Sequence, residues 1–313
     1  MDKNLLKKNN LTIIIIILNI FIIIDYSLFA QDSLIIWNEN RPLNWDDFKI
    51  KKEYSKNMSK IFNIPTSAGV SLEIIVLPSY NKQKDTNYIF LPVVYPFKSW
   101  SIEKKETKYG IRHEQLHFDI AKLYALKMEQ AIKNIKSGKE KRRIIDSLLD
   151  IHWKLQKKYD KETIHSMRHT QQKLWEIKIR DSLRKFDYYK RKIDTLKCRT
   201  LRKGKFKYII KNDLLDTIMA RQYLIAKVND SIQEIEYLDT GLKAVQKIKW
   251  ISPCAFIAYD TKIIKKSNSP YFSNIEPDED IVVEILKADG NRFIGEYVKG
   301  GFFFVPVEII QLE

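Results

Sequence analysis

Apolar positions along the chain change their period twice, dividing it into three stretches. In residues 35–101 the runs 70–77 and 88–95, rich in β-branched and aromatic residues and bounded by Pro, Asn and Ser, predict short strands. Between them and the N-terminus, Arg41-Pro42-Leu43-Asn44-Trp45-Asp46-Asp47-Phe48 reads as a loop whose Trp45 and Phe48 plug a core. From about Thr107 to Lys136 the period becomes helical. His113, His117, Ile120 with Ala121, Tyr124, Met128, Ala131 and Ile135 recur at steps of three and four and share one buried face. Ile145, Leu148, His152, Leu155 and Tyr159 predict a second helix, and residues 167–183 a third.

Beyond about Arg191 the helical period stops. Eight β-runs follow, at 206–210, 223–228, 232–238, 245–250, 255–259, 281–286, 293–298 and 302–310. Asn229-Asp230, Asp239-Thr240-Gly241, Ser252-Pro253, Asp289-Gly290-Asn291 and Gly300-Gly301 supply turns between them. The expected fold is α+β. A zincin-like N-terminal domain at 31–190, with a small antiparallel sheet, a metal-binding helix and two further helices, precedes a small all-β barrel or sandwich at 191–313.

The first thirty residues read as an address. Lys3, Lys7 and Lys8 precede an apolar run from Leu11 to Ile24, broken by Thr12 and Asn19, and Ala30 offers a cleavage point before Gln31. The run is too short for a membrane span, so a signal peptide at 1–30 and an exported protein, periplasmic or extracellular, are expected, with no stable span after cleavage. In an oxidising compartment Cys198 and Cys254 are free to pair, though spacing alone does not require it.

The formal charge of +16 raises the question of nucleic acid. Between Glu103 and Arg191 there are 24 Lys and Arg against 13 Asp and Glu, placed at helical spacing on outward faces. No zinc-finger or RNP-type signature accompanies them, so solvated helix surfaces are expected and no nucleic-acid partner.

The chemistry concentrates in His113-Glu114-Gln115-Leu116-His117. Residues four apart on a helix lie about 40° apart around its axis, so both imidazoles can reach one ion. Glu114, about 100° from His113, can take a proton from a water activated by that ion, the arrangement metal-assisted hydrolysis needs. Two cysteines are too few for a Cys-based zinc site, so His and carboxylates must hold the ion. All five histidines fall between residues 113 and 169. His165 is the expected third ligand, from a segment interrupting two helical patterns, with Asp160 and Glu162 as carboxylate alternatives. His152 lies on an apolar stripe and reads as a core residue. His169, Tyr109 and Tyr159 are candidates to stabilise an oxyanion. Asp119, about 240° from His113, faces away from the ion and is expected to be structural.

Three pieces together resemble a bacterial family of exported proteins of uncharacterised domain type, described as secreted zinc-dependent proteases. They are Trp37-Asn38-Glu39-Asn40-Arg41-Pro42-Leu43-Asn44-Trp45-Asp46-Asp47-Phe48, His113-Glu114-Gln115-Leu116-His117-Phe118-Asp119-Ile120 and Tyr159-Asp160-Lys161-Glu162-Thr163-Ile164-His165. The resemblance runs from residue 35 to about 185. It implies one zinc per chain on His113, His117 and His165, with a peptide or protein substrate. Typical members carry Gly where Ser166 stands, and an acidic residue near Ala121-Lys122. The metzincin pattern is absent, because Ile120 and Leu123 occupy its Gly and His positions. A gluzincin-like set would use Glu162 or Glu176.

The leading expectation is a secreted zinc metallopeptidase with Glu114 as general base, in which the strand at 88–95 holds an extended substrate. The alternatives are an inactive, metal-stabilised envelope-binding protein, and a di-metal protein built on the two pairs Glu114-Gln115-Leu116-His117 and Glu162-Thr163-Ile164-His165.

Overall fold

A computed structural model describes residues 34–53, 67–80, 86–103, 106–186, 195–211, 221–267, 280–299 and 304–312. The expected signal peptide and the Gly300-Gly301 turn lie outside the described residues. The architecture is α+β, with four α-helices and an eight-stranded antiparallel barrel among the described residues. The chain divides into two compact units, residues 1–142 and 143–313.

The first unit holds two three-stranded sheets and a long helix. Strands β1 (Ile35–Ile36), β4 (Leu72–Tyr80) and β5 (Thr86–Val94) form one sheet in the order β1-β5-β4. The strand expected to hold substrate, β5, pairs with β4 along its length and on its other edge with β1 at Val93 and Val94 only. The other sheet joins β2 (Ile50–Lys52), β3 (Ala68–Gly69) and β6 (Trp100–Ile102), with β2 parallel to β6, where only antiparallel pairing was expected. Helix α1 (Lys108–Ile132) starts where the Thr107 Oγ1 accepts from Gly110 N at 2.9 Å. Its face packs Phe118 with Leu43 and Val94, flanked by Trp37, Val70 and Leu72.

The segment read as a loop is a 3₁₀ turn at Trp45–Asp47, closed by reciprocal capping between Asn44 and Asp47 and by the Arg41–Asp47 ion pair. Phe48 is fully buried, and the half-buried Trp45 donates to Thr107 O at 3.2 Å. Gly110 faces the Trp45 ring so closely that a Cβ would stand 3.2 Å from it. This pair thus anchors the first turn of α1.

Helix α2 (Gly138–Thr163) contains the boundary between the units. In the second unit, α3 (His169–Arg184) and the short α4 (Thr195–Arg199), a helix the sequence pattern does not announce, precede the barrel. Its strands are β7 (Lys203–Lys211), β8 (Arg221–Asn229), β9 (Ile232–Tyr237), β10 (Lys243–Ser252), β11 (Ala255–Lys265), β12 (Ile281–Asp289), β13 (Arg292–Lys299) and β14 (Val305–Gln311). Each pairs antiparallel with its sequence neighbours, and β14 returns to β7, so the sheet closes and has no edge. The barrel alternative therefore holds over the sandwich. Alternate residues such as Phe206, Tyr208, Leu224, Phe256, Val283, Phe293 and Ile309 fill the interior.

Cys198 of α4 and Cys254, in the turn after β10, form a disulfide, and with Leu201 they join that interior cluster. Ala255 and Val282 pack on Ile177 of α3. Below them Lys173, fully buried, lies 2.7 Å from Glu284 and 2.5 Å from Glu296, with Glu176 at 3.9 Å; Arg180 also pairs with Glu284. No helix among the described residues is long and apolar enough to cross a membrane.

Candidate metal centre

In the first unit α1 carries His113, Glu114 and His117, all buried, at 3, 6 and 9% exposure. The two imidazole rings lie 5.0 Å apart between centroids and at 88° to each other. The spacing of four residues thus produces the expected result: two rings on one face, one turn apart. Glu114 projects beside them, its Oε2 accepting the backbone N–H of Val70 at 3.0 Å. That bond fixes the carboxylate at the end of β3, where the small Gly69 sits under the Trp100 ring.

The opposite side of α1 explains the rest of the motif. Asp119 Oδ1 accepts from Trp37 Nε1 and from Gln115 Nε2, both at 2.8 Å, while Gln115 Oε1 accepts from Leu43 N at 2.7 Å. Asp119 is structural, as its angular position predicts, and with Gln115 it ties the segment from Trp37 to Leu43 onto α1. The two bonds from Trp37 and Leu43 on one side and the Trp45 contact at the N-terminus oppose rotation of α1 about its axis. The two imidazoles inherit that fixed orientation.

In the second unit Tyr159, Asp160 and Glu162 occupy the last turn of α2, which runs on through Thr163 rather than breaking at Tyr159. The turn itself follows: Ile164, His165 and Ser166 all adopt left-handed backbone, at φ 47°, 46° and 77°. Each L residue there costs about 1–2 kcal/mol relative to its usual conformation. Ser166 stands where a glycine would be unstrained. The bonds His165 N to Asp160 O, 3.0 Å, and Arg168 N to Thr163 O, 2.8 Å, close the turn and fold His165 back over Asp160. Its Nδ1 lies 3.4 Å from Asp160 Oδ1.

His113 and His117 each offer one ring nitrogen from the same face of α1, a pair that could share a metal ion. Within the second unit His165 stands beside Asp160. Glu162 is engaged elsewhere, accepting from Trp175 Nε1 at 2.8 Å with Lys158 at 3.6 Å. Glu176, the other gluzincin-like candidate, belongs to the Lys173 cluster. His152 is fully buried with its Nε2 2.9 Å from Gln156 Nε2, in keeping with a core role. Tyr159 is also fully buried, its ring 5.6 Å from Trp175. Tyr109 lies in the first turn of α1, and His169 opens α3.

No family model, curated protein or solved structure matches this chain.

Proposed function

We propose that the chain is an exported zinc-dependent metallopeptidase whose zincin-like first unit works through α1. The observation that carries the reading is the buried His113–His117 pair with Glu114 fixed beside it. The donors fit the ion: two imidazoles with one further imidazole or carboxylate are a common zinc complement that leaves a coordination position open. The third ligand would come from the Asp160–His165 pair, one member ligating and the other holding it by a hydrogen bond. When bound, the ion supplies Lewis acidity, lowering the pKa of a water and polarising the scissile carbonyl.

The chain's own residues do the remainder. Glu114 accepts a proton as the water oxygen attacks the carbonyl carbon, then delivers it to the amine nitrogen as the C–N bond breaks. The Val70 N–H holds one Glu114 oxygen and leaves Oε1 for that exchange. Gln115 and Asp119 keep the helix from turning as the charge moves. Engagement of Glu162 by Trp175 favours one ion over the two that a pair of Glu-x-x-His motifs would hold. The disulfide suits a protein working in an oxidising compartment.

The test is hydrolysis of fluorescein-labelled casein by the zinc-loaded chain from Gln31 onward. Glu114→Gln is expected to cut the rate at least about a hundredfold while zinc content is unchanged. Undiminished hydrolysis in that variant, or none in the zinc-loaded wild type, overturns the reading.

A further inference from the structure

Residues 195–211, from α4 through β7, contain seven cations and no acid: Lys197, Arg199, Arg202, Lys203, Lys205, Lys207 and Lys211. The helical stretch accounts for the excess charge before residue 191, but this run lies outside it and is not helical for most of its length. Strand alternation explains the pattern. Phe206, Tyr208 and Ile210 point into the barrel, so Lys203, Lys205, Lys207 and Lys211 stand on its outer wall.

Several cations elsewhere on the barrel have acidic partners, as does Arg202 of the strip, which meets Asp230 at 3.3 Å. Lys243 meets Glu236 at 3.1 Å, Lys247 meets Asp260 at 2.7 Å, and Arg292 meets Glu308 at 3.6 Å. Those contacts also occupy Glu308 of the neighbouring β14 and Glu236 of β9, one strand beyond β8. Among the described residues Lys203, Lys205, Lys207 and Lys211 have no carboxylate within 4.0 Å. Lys205 instead lies directly across from Lys227 of β8, whose other neighbour in register is Glu234. Like charges opposite one another destabilise a sheet, so the fold gains nothing from this arrangement.

Two further features distinguish a surface from a chain-like ligand. Leu196, at 69% exposure, is the most exposed large apolar residue of the described chain, and Lys197 and Arg199 follow it. Aromatic rings lie under the cations, with Lys207 Nζ 5.2 Å from the Tyr223 centroid and the Arg202 guanidinium 4.8 Å from that of Trp250. Cations around an exposed Leu and interfacial Tyr and Trp match an anionic bilayer, which offers headgroup charge and a shallow apolar layer together. We infer that the α4–β7 strip docks the barrel onto an anionic membrane surface without spanning it. This docking is independent of whether α1 binds a metal.

The experiment is co-sedimentation of the chain from Gln31 onward with phosphatidylcholine vesicles containing about 30% phosphatidylglycerol, beside pure phosphatidylcholine. Binding is expected to the anionic vesicles only, and to be lost on raising salt from about 0.1 M to about 0.5 M. Each surface cation contributes roughly fivefold to the partition constant, so Lys203→Glu/Lys205→Glu/Lys207→Glu should weaken it by at least about a hundredfold. The milder Lys203→Gln/Lys205→Gln/Lys207→Gln is expected to weaken it in the same direction and covers misfolding of the charge reversal. A charge-matched control at the C-terminal end of β11, four strands from β7 round the barrel, Lys262→Glu/Lys265→Glu/Lys266→Glu, should have a much smaller effect. Equal binding to neutral vesicles, an equal loss in the control, or binding of polyphosphate with no binding of vesicles overturns the inference.

Discussion

Lys173→Met removes the only lysine with a fully buried side chain in the described chain and strands the carboxylates around it. Glu284 and Glu176 are themselves buried, at 4% and 6% exposure, and Glu296 is at 20%. A surface pair would be worth at most about 1 kcal/mol, because water takes over from the lost partner. Here water does not reach, and removing one member of a buried pair costs about 3–5 kcal/mol. That is about a fifth or more of the stability of an ordinary domain. Arg180 remains on Glu284 and offsets part of the loss, which places the expectation near the lower bound, about 3 kcal/mol. Methionine fills most of the lysine volume and still meets the Phe304 ring, so a cavity adds little. Urea unfolding followed by circular dichroism, with the disulfide kept oxidised, should show the midpoint falling by about 1 M at constant slope. Lys173→Met/Glu284→Gln should recover part of the fall, since it removes one stranded charge. A midpoint within about 0.2 M of wild type would refute the reasoning and place these charges in water.

Burial alone would push the Glu284 carboxyl up, but the charges of Lys173 and Arg180 and their hydrogen bonds outweigh it and hold it below its ordinary 4.5. Its contribution is therefore complete above about pH 4.5 and lost as pH falls through the lower folded value; unfolding titrations should show a flatter acid limb in Glu284→Gln. Breaking the Cys198–Cys254 bridge, 56 residues apart, by Cys254→Ser should cost about 4 kcal/mol by loop entropy, read as a fall in Tm. Asp119→Ala strands the Trp37 and Gln115 donors and should cost about 2–3 kcal/mol in urea, whereas Asp119→Asn, which keeps the acceptor oxygen, should cost less than half of that.

Much of the fold is legible in the sequence because its elements obey a single period over many residues. All eight β-runs after residue 191 are barrel strands, and the Asp289-Gly290-Asn291 turn has Gly290 at φ 56°. Closure of the sheet is not legible, since it depends on β14 meeting β7 across the whole domain, and no local pattern records that pairing. The five-residue α4 escapes for the opposite reason: it is too short for periodicity and is held by Cys198 and Leu201. The parallel pairing of β2 with β6 joins three-residue strands fifty positions apart, again beyond any local signal.

At the candidate site the histidine pair and Glu114 were readable because a helix fixes their angles. The position of Asp160 relative to His165 was not. It depends on α2 continuing through Thr163 and on three left-handed residues after it, and Ile164, His165 and Ser166 are not residues that announce that conformation. The partners of Gln115 and Asp119 lie more than 70 residues away in sequence, so their clamp becomes visible only in three dimensions.

Zinc stoichiometry by plasma mass spectrometry, on the chain from Gln31 onward equilibrated with zinc and desalted, bears most directly on α1 as a metal helix. The account predicts about one zinc per wild-type chain, essentially none in His113→Ala/His117→Ala, and weakened retention in Asp160→Ala. Wild-type protein free of zinc, or a double-histidine variant that still carries a full equivalent, would contradict it.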